Sequence, residues 1–120
     1  MYEANYKSLM GNVKLRFKIT AYQYDKSLAI QAYSEDEGYW CPFCTITVCL
    51  NVGCAEDCAF VDSNNVPGIE EFLIKNGIAK QTGRVQQSGF CMYNEFKFNK
   101  RILKEMDLEG YEKYLNFRNS

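Results

Sequence analysis

Histidine is absent from this 120-residue chain, and proline and tryptophan are scarce, with two and one residues respectively. Without an imidazole the chain cannot use a histidine as general acid or base, which excludes histidine-based triads and nearly all catalytic zinc sites. No apolar run reaches the length of a membrane span. The formal net charge is only −1, so overall attraction cannot drive binding to nucleic acid or anionic lipid.

What is present is typical of a globular protein, with 47% hydrophobic and 24% charged residues. The length predicts a single domain over residues 1–120. The first residues contain no apolar leader, so we expect a cytoplasmic protein whose six cysteines are free thiols. Aromatic residues are abundant at 15%, and nine of them are tyrosines, which favours a protein-binding surface on a monomer or homodimer.

Hydrophobic periodicity predicts strands and helices along the whole chain. In residues 13–22, Leu15, Phe17 and Ile19 alternate with Lys14, Arg16 and Lys18, so one face is apolar and the other basic. Strands are predicted over 13–22, 28–33, 39–50, 59–61 and 90–98, helices over 1–11, 67–76, 100–106 and 108–118, and a loop over 80–89. We therefore predict an α+β fold, with an antiparallel twisted sheet of four to five strands and helices packed on one face.

The tetrapeptide Cys41-Pro42-Phe43-Cys44 resembles the active-site motif of glutaredoxins. One hypothesis is therefore a thiol oxidoreductase, with Cys41 as nucleophile and Cys44 as resolving thiol. Such chemistry needs a helix that begins at the motif and stabilises the thiolate. Residues 45–48 are β-branched and favour a strand instead, so we predict no catalytic residues.

A second alternative is a small zinc-stabilised nucleic-acid-binding protein. Its metal ligands would be Cys41, Cys44, Cys54 and Cys58, whose spacing fits a four-cysteine site. Lys14, Arg16 and Lys18 would bind the backbone of the nucleic acid. Free cysteines more commonly pack as small apolar side chains, and a basic strand face is commonly just solvated. We therefore expect no cofactor, no membrane and no direct nucleic-acid contact.

Short segments spread in order along the chain resemble the domain-of-unknown-function family DUF4313. They are Ser27-Leu28-Ala29-Ile30-Gln31, Thr45-Ile46-Thr47-Val48, Ala59-Phe60-Val61-Asp62-Ser63-Asn64-Asn65, Asn76-Gly77, Thr82-Gly83 and Ser88-Gly89-Phe90-Cys91-Met92-Tyr93. The family pattern does not require the cysteines at 41, 44, 54 and 58, which disfavours the redox and zinc hypotheses. The family has no established activity, so the resemblance assigns no functional residues, and it points to accessory genes of mobile elements and prophages of Gram-positive bacteria.

Small proteins in such a setting often block host defence machinery, an analogy that concerns the setting and not the fold. We therefore expect a non-enzymatic protein-binding module that inhibits a host defence nuclease such as a CRISPR effector. An exposed strand edge or aromatic patch would make the contact. The residues predicted to bind the partner are Tyr33, Glu35, Asp36, Glu37, Tyr39 and Trp40.

Overall fold

Ten elements make up the fold in a computed structural model that describes residues 1–120. The strands are β1 (Ala4–Ser8), β2 (Gly11–Ala21), β3 (Leu28–Asp36), β4 (Tyr39–Thr45), β5 (Thr47–Val48), β6 (Cys58–Val61), β7 (Ala79–Ser88) and β8 (Cys91–Phe98). The helices are α1 (Ile69–Lys75) and α2 (Lys100–Arg118). Neither helix combines the length and the apolar character needed to cross a lipid bilayer.

The strands form two antiparallel sheets of four strands each. The first sheet has the order β1-β2-β3-β4, and the second has the order β5-β6-β8-β7. The predicted α+β class and antiparallel pairing are confirmed. The strands divide into two sheets, however, where one sheet of four to five strands was expected.

The two sheets meet at Ile46, in the middle of the strand predicted over 39–50. Before this residue β4 pairs with β3, and after it β5 pairs with β6. The N–H of Ile46 donates to the carbonyl of Ile30 at 3.0 Å, and its own carbonyl accepts the N–H of Asp62 at 2.8 Å. A single extended segment therefore bends at a fully buried isoleucine and contributes to both sheets.

One apolar cluster of 23 buried residues fills the space between the sheets and the helices. The alternation of β2 supplies Leu15, Phe17 and Ile19 to it, as predicted. The helix α1 contributes Ile69, Phe72 and Leu73, and α2 contributes Leu103, Met106, Tyr111 and Tyr114. Each large apolar side chain buried in this way stabilises the fold by about 1.5–3 kcal/mol.

Residues 1–11 do not form the predicted helix. They contain β1, which pairs with β2 so that Ala4 lies opposite Leu15 and Ser8 opposite Gly11. Tyr6 is buried and its hydroxyl donates to the carbonyl of Pro67, while Leu9 is left 99% exposed in the turn. The spacing of Tyr2, Tyr6 and Leu9 fits a helix. The segment forms a strand with alternate burial instead, because β2 supplies partners for its backbone hydrogen bonds.

Residues 80–89 do not form the predicted loop either, because most of them belong to β7. The strand is exposed on both faces, so it lacks the alternation that identifies a strand in a sequence. Its hydrogen bonds come from β8, and a register shift between Gln81 and Val85 accommodates Gly83.

The helix α2 is interrupted at Asp107, whose backbone is extended (φ −164°, ψ 84°). Asn99 caps the first half, since its side-chain oxygen accepts the N–H of Arg101 at 3.0 Å. Asp107 caps the second half, since its Oδ1 accepts the N–H of Gly110 at 3.1 Å. The two helices predicted over 100–106 and 108–118 are confirmed, with Asn99 and Asp107 as their caps.

Candidate functional site

The end of the β3–β4 hairpin gathers the residues predicted to bind a partner. Glu37 and Gly38 form its turn and both have positive φ, which matches the right-handed twist of the flanking strands. Asp36 lies opposite Tyr39, and Glu35 lies opposite Trp40. The carboxylates are exposed, and Tyr39 is 76% exposed.

The basic face predicted on β2 lies directly beside this hairpin. Arg16 is opposite Tyr33 in the register, and its guanidinium lies 4.1 Å from the ring centroid of Trp40. The ammonium of Lys18 lies 5.6 Å from the ring centroid of Tyr33. These are cation–π contacts. On one outer face of the first sheet, the structure thus places residues predicted to bind a protein partner next to residues predicted, in the alternative hypothesis, to bind nucleic acid.

Glu3 holds Arg16 in place. Its Oε2 accepts a hydrogen bond from Nε of Arg16 at 2.6 Å and forms an ion pair with Nη2, also at 2.6 Å. The ammonium of Lys14 lies 3.8 Å from Oε1. The hydrogen bond from Arg16 lowers the pKa of Glu3 below its usual value. The sequence-based prediction missed Glu3 because it placed residues 1–11 on a helix. Ala4 and Tyr6, two positions apart and both buried, form the alternating pattern that indicates a strand here.

A cleft of about 460 Å³ opens between this outer face and α2. Arg16, Lys18, Tyr33 and Trp40 line one wall. The other wall belongs to α2 around its kink, with Lys104, Glu105, Met106, Asp107 and Leu108. Only residues of the first wall were predicted as site residues from the sequence. The residues of α2 line the cleft because the helix packs on β2, and this tertiary contact is not visible in the sequence.

The cleft exists because β2 is longer than its neighbour β1. Pairing with β1 stops at Leu15, so the edge of β2 beyond that residue has no strand beside it. Asp107 covers part of this edge, since its Oδ2 accepts the N–H of Ile19 at 3.0 Å. Gly110 allows the helix to approach this closely, because a Cβ there would collide with the Asp107 carboxylate and the Ile19 carbonyl.

The Cys41–Cys44 motif lies on β4, the edge strand of the first sheet. Pro42 pairs with Tyr33 and Cys44 pairs with Ala32, so Phe43 is the extra residue of a bulge. The chain after Cys44 continues as strand, which confirms that prediction, and no helix begins there. Burial raises the pKa of Cys44 to about 11. The thiol oxidoreductase hypothesis therefore lacks the helix on which it depended.

The four cysteines of the zinc hypothesis do not converge, and no three potential metal-binding side chains gather anywhere in the chain. Cys58 is buried in the second sheet, and burial, with the Glu95 carboxylate beside it, raises the pKa of Cys54 to about 12. All six cysteines are free thiols. The four cysteines are spread over the fold: Cys41 and Cys44 lie on β4 of the first sheet, Cys54 in the loop before β6, and Cys58 on β6 of the second sheet.

A family model described as "Domain of unknown function (DUF4313)" matches residues 16–117. The chain belongs to the DUF4313 family. The match runs from Arg16 in β2 to Phe117 in α2 and includes every residue that lines the cleft except Met1. No curated protein and no solved structure matches the chain.

The segments that carry the DUF4313 resemblance lie mainly in the scaffold of the fold. Residues 59–61 are buried in β6, and Ser27 and Leu28 are buried where β3 begins. Residues 45–48 form the bend between the sheets. Arg16, Tyr33 and Trp40 lie outside these segments. None of these short segments therefore identifies the outer face as a binding surface.

Proposed function

We propose that this DUF4313 chain is a non-enzymatic protein-binding module of a mobile genetic element or phage. It acts in the cytoplasm and blocks a host defence nuclease, in the manner of an anti-CRISPR protein. The observation that carries the proposal is the acidic and aromatic end of the β3–β4 hairpin, where exposed Glu35, Asp36 and Glu37 adjoin Tyr39 and Trp40.

The charge of this hairpin end suits a nuclease as partner. No Lys or Arg lies within 4.0 Å of the carboxylates of Glu35, Asp36 or Glu37, so none is neutralised by an ion pair. A nuclease that holds a nucleic-acid backbone needs a cationic channel. An acidic protrusion is complementary to such a channel and would be steered toward it. The tyrosine and tryptophan beside it are the residue types that anchor interfaces.

The edge of β4 favours recognition by side chains over strand addition. Pro42 has no N–H to offer, and the bulge at Phe43 interrupts the register of the edge. A partner strand would therefore find no continuous ladder along β4. We expect the side chains of the hairpin end to make the contact instead.

The proposal is tested with purified, guide-loaded CRISPR nucleases from Gram-positive hosts, measuring complex formation and target cleavage. The combined variant Glu35→Lys, Asp36→Lys, Glu37→Lys should weaken binding by about 100-fold and restore cleavage, because like charges would face the channel. The matched control Glu71→Lys, Glu109→Lys, Glu112→Lys makes the same charge change on the helices. It should bind within about three-fold of the unmodified chain.

A panel of such nucleases that shows neither a complex nor reduced cleavage would count against the proposal. Equal weakening by the hairpin and helix variants would also count against it, since net charge alone would then explain the binding.

A further inference from the structure

We propose that the cleft between β2 and α2 binds an adenine nucleotide, with the phosphate between Lys18 and Lys104 and the base beside Tyr33 and Trp40. This inference does not rest on the nuclease proposal. It uses the cleft walls and not the carboxylates of the hairpin end. Three features of the cleft carry it: its charges, its aromatic wall and the edge of β2 beyond its pairing with β1.

The cleft contains cationic side chains that no carboxylate neutralises. Lys18 and Lys104 face it from opposite walls, and neither has a carboxylate within 4.0 Å. Arg16, which is paired with Glu3, and the N-terminal residue Met1 also line the cleft. Of the two acidic side chains that line the cleft, Asp107 already accepts backbone N–H groups with both oxygens. A bound phosphate would neutralise the two lysines.

The remaining carboxylate, Glu105, distinguishes a nucleotide from other aromatic anions. It lines the same cleft as Lys104. A simple anion would be repelled by a carboxylate, whereas the ribose of a nucleotide presents hydroxyl donors. Acidic side chains commonly accept hydrogen bonds from ribose hydroxyls in nucleotide sites. The combination of two free cations and one free carboxylate therefore fits a phosphate joined to a sugar.

The wall formed by the sheet suits a planar base. Tyr33 and Trp40 lie there with their cations stacked against them, and Leu108, 51% exposed, faces them from α2. Aromatic side chains stack on bases, and a neighbouring arginine strengthens such contacts. The volume of about 460 Å³ lies in the range of roughly 300–1,000 Å³ typical of small-molecule sites. A single nucleotide is of this size, whereas a folded protein segment is larger.

The backbone of Phe17 indicates which base the cleft prefers. Ile19 directs its N–H away from β3, toward Asp107. Backbone directions repeat every second residue in an antiparallel pair, so the N–H and C=O of Phe17 point the same way. At Phe17 the pairing with β1 has already ended, and Phe17 lines the cleft, with the ring of Tyr2 6.1 Å from its own between centroids. An adjacent donor and acceptor complement adenine, which offers N7 as acceptor and its N6 amine as donor, whereas guanine offers two acceptors there.

Trp40 is the only tryptophan of the chain and lines the cleft, so its fluorescence reports binding directly. The intact chain is titrated with adenosine monophosphate, guanosine monophosphate, adenosine and inorganic phosphate, with calorimetry as a second readout. We expect a saturable change with adenosine monophosphate and weaker binding of the other three. Lys18→Gln and Lys104→Gln should each weaken binding by about ten-fold, because each removes a charged contact to the phosphate.

The matched control is Lys113→Gln, which removes a lysine of α2 whose partner is Glu109 and which does not line the cleft. It should leave the affinity unchanged. An adenine oligonucleotide that binds more tightly, with the same dependence on Lys18 and Lys104, would identify a strand end as the source of the nucleotide.

No saturable signal with adenosine monophosphate at millimolar concentration, by fluorescence or calorimetry, overturns the proposal. So does an affinity that Lys113→Gln lowers as much as Lys18→Gln. Since these lysine variants retain the acidic hairpin, nuclease binding can be measured on the same samples. A failure of one proposal is thereby separated from a failure of the other.

Discussion

The carboxylate of Asp107 accepts the backbone N–H of Ile19 at 3.0 Å, although 88 positions separate the two residues in the sequence. Its other oxygen accepts the N–H of Gly110 at 3.1 Å. One side chain therefore caps the second half of α2 and attaches that helix to the free edge of β2. Through this attachment the helix residues form the far wall of the cleft.

Asp107→Ala removes both interactions. A lost N-cap costs about 1 kcal/mol, and a lost hydrogen bond to a charged group costs about 1.5–3 kcal/mol. We expect the free energy of unfolding, measured with urea, to fall by about 3 kcal/mol. Asp107→Asn keeps one acceptor oxygen and should lose about half as much. An alanine variant within about 0.5 kcal/mol of the unmodified chain would contradict this account of the kink.

Gly110→Ala should destabilise the chain, which is the opposite of the usual effect. In a helix interior, alanine is favoured over glycine by about 1 kcal/mol. Here the new methyl would collide with the Asp107 carboxylate and the carbonyl of Ile19, so the helix would have to move away from β2. We expect a loss of about 2–3 kcal/mol in urea unfolding. Glu112→Ala, on the exposed face of the same helix, should change stability by less than about 0.5 kcal/mol.

The parts of the fold that sequence reasoning recovers are those with strong local periodicity. Leu15, Phe17 and Ile19 identify β2 because each lies two positions from the next and all are buried. The strand β7 has no such pattern, since only Ala79 at its start is buried, and it forms because β8 pairs with it. Pairing between strands is a tertiary property, so no local window contains it.

The candidate site illustrates the same limit. Arg16 and Trp40 are each recognisable as surface residues, but their stacking depends on the register of β2, β3 and β4. Lys104 lines the cleft from α2, and Asp107 attaches that helix to the edge of β2. The residues of both walls can therefore be recognised in the sequence. That the two walls lie next to each other depends on long-range contacts, which a local sequence pattern does not contain.

The buried carboxyl of Asp57 should make stability fall as the pH rises. Burial raises its pKa above the ordinary value of 3.8, despite hydrogen bonds from the Tyr111 hydroxyl at 2.8 and 3.1 Å. Above pH 3.8 the unfolded chain releases this proton while the folded chain still holds it. Folding therefore becomes less favourable with rising pH through that window and levels off above the folded-state pKa.

The measurement compares the chain with Asp57→Asn in urea unfolding across that pH window. The stability of the unmodified chain relative to the variant should decline as the pH rises. The control Glu109→Gln alters an exposed carboxyl and should show almost no such trend. A relative stability that instead increases with pH would mean that hydrogen bonds from Tyr111, and not burial, dominate the pKa of Asp57.

Alkylation should distinguish the cysteines by burial. Cys41 is exposed, whereas the pKa of Cys44 is raised to about 11 and that of Cys54 to about 12 by burial. At pH 8 only about one Cys44 side chain in a thousand is then a thiolate. Peptide mass spectrometry after brief iodoacetamide treatment should find Cys41 labelled well before Cys44 or Cys54. In urea all six cysteines should react at similar rates, and equally fast labelling of Cys44 in the folded chain would mean that burial does not suppress its thiolate.

Thr47→Val tests the connection between the two sheets at their bend. Thr47 is buried, its Oγ1 accepts the N–H of Ile30 at 3.1 Å, and the Tyr22 hydroxyl lies 3.0 Å from its carbonyl oxygen. Valine keeps the shape but leaves the buried N–H of Ile30 without an acceptor, so we expect a loss of about 2 kcal/mol. Tyr22→Phe, which removes only the outer hydroxyl, should lose about 1 kcal/mol. Because the two hydroxyls also lie 3.1 Å apart, the double variant should lose less than the sum, and strict additivity would mean that they act separately.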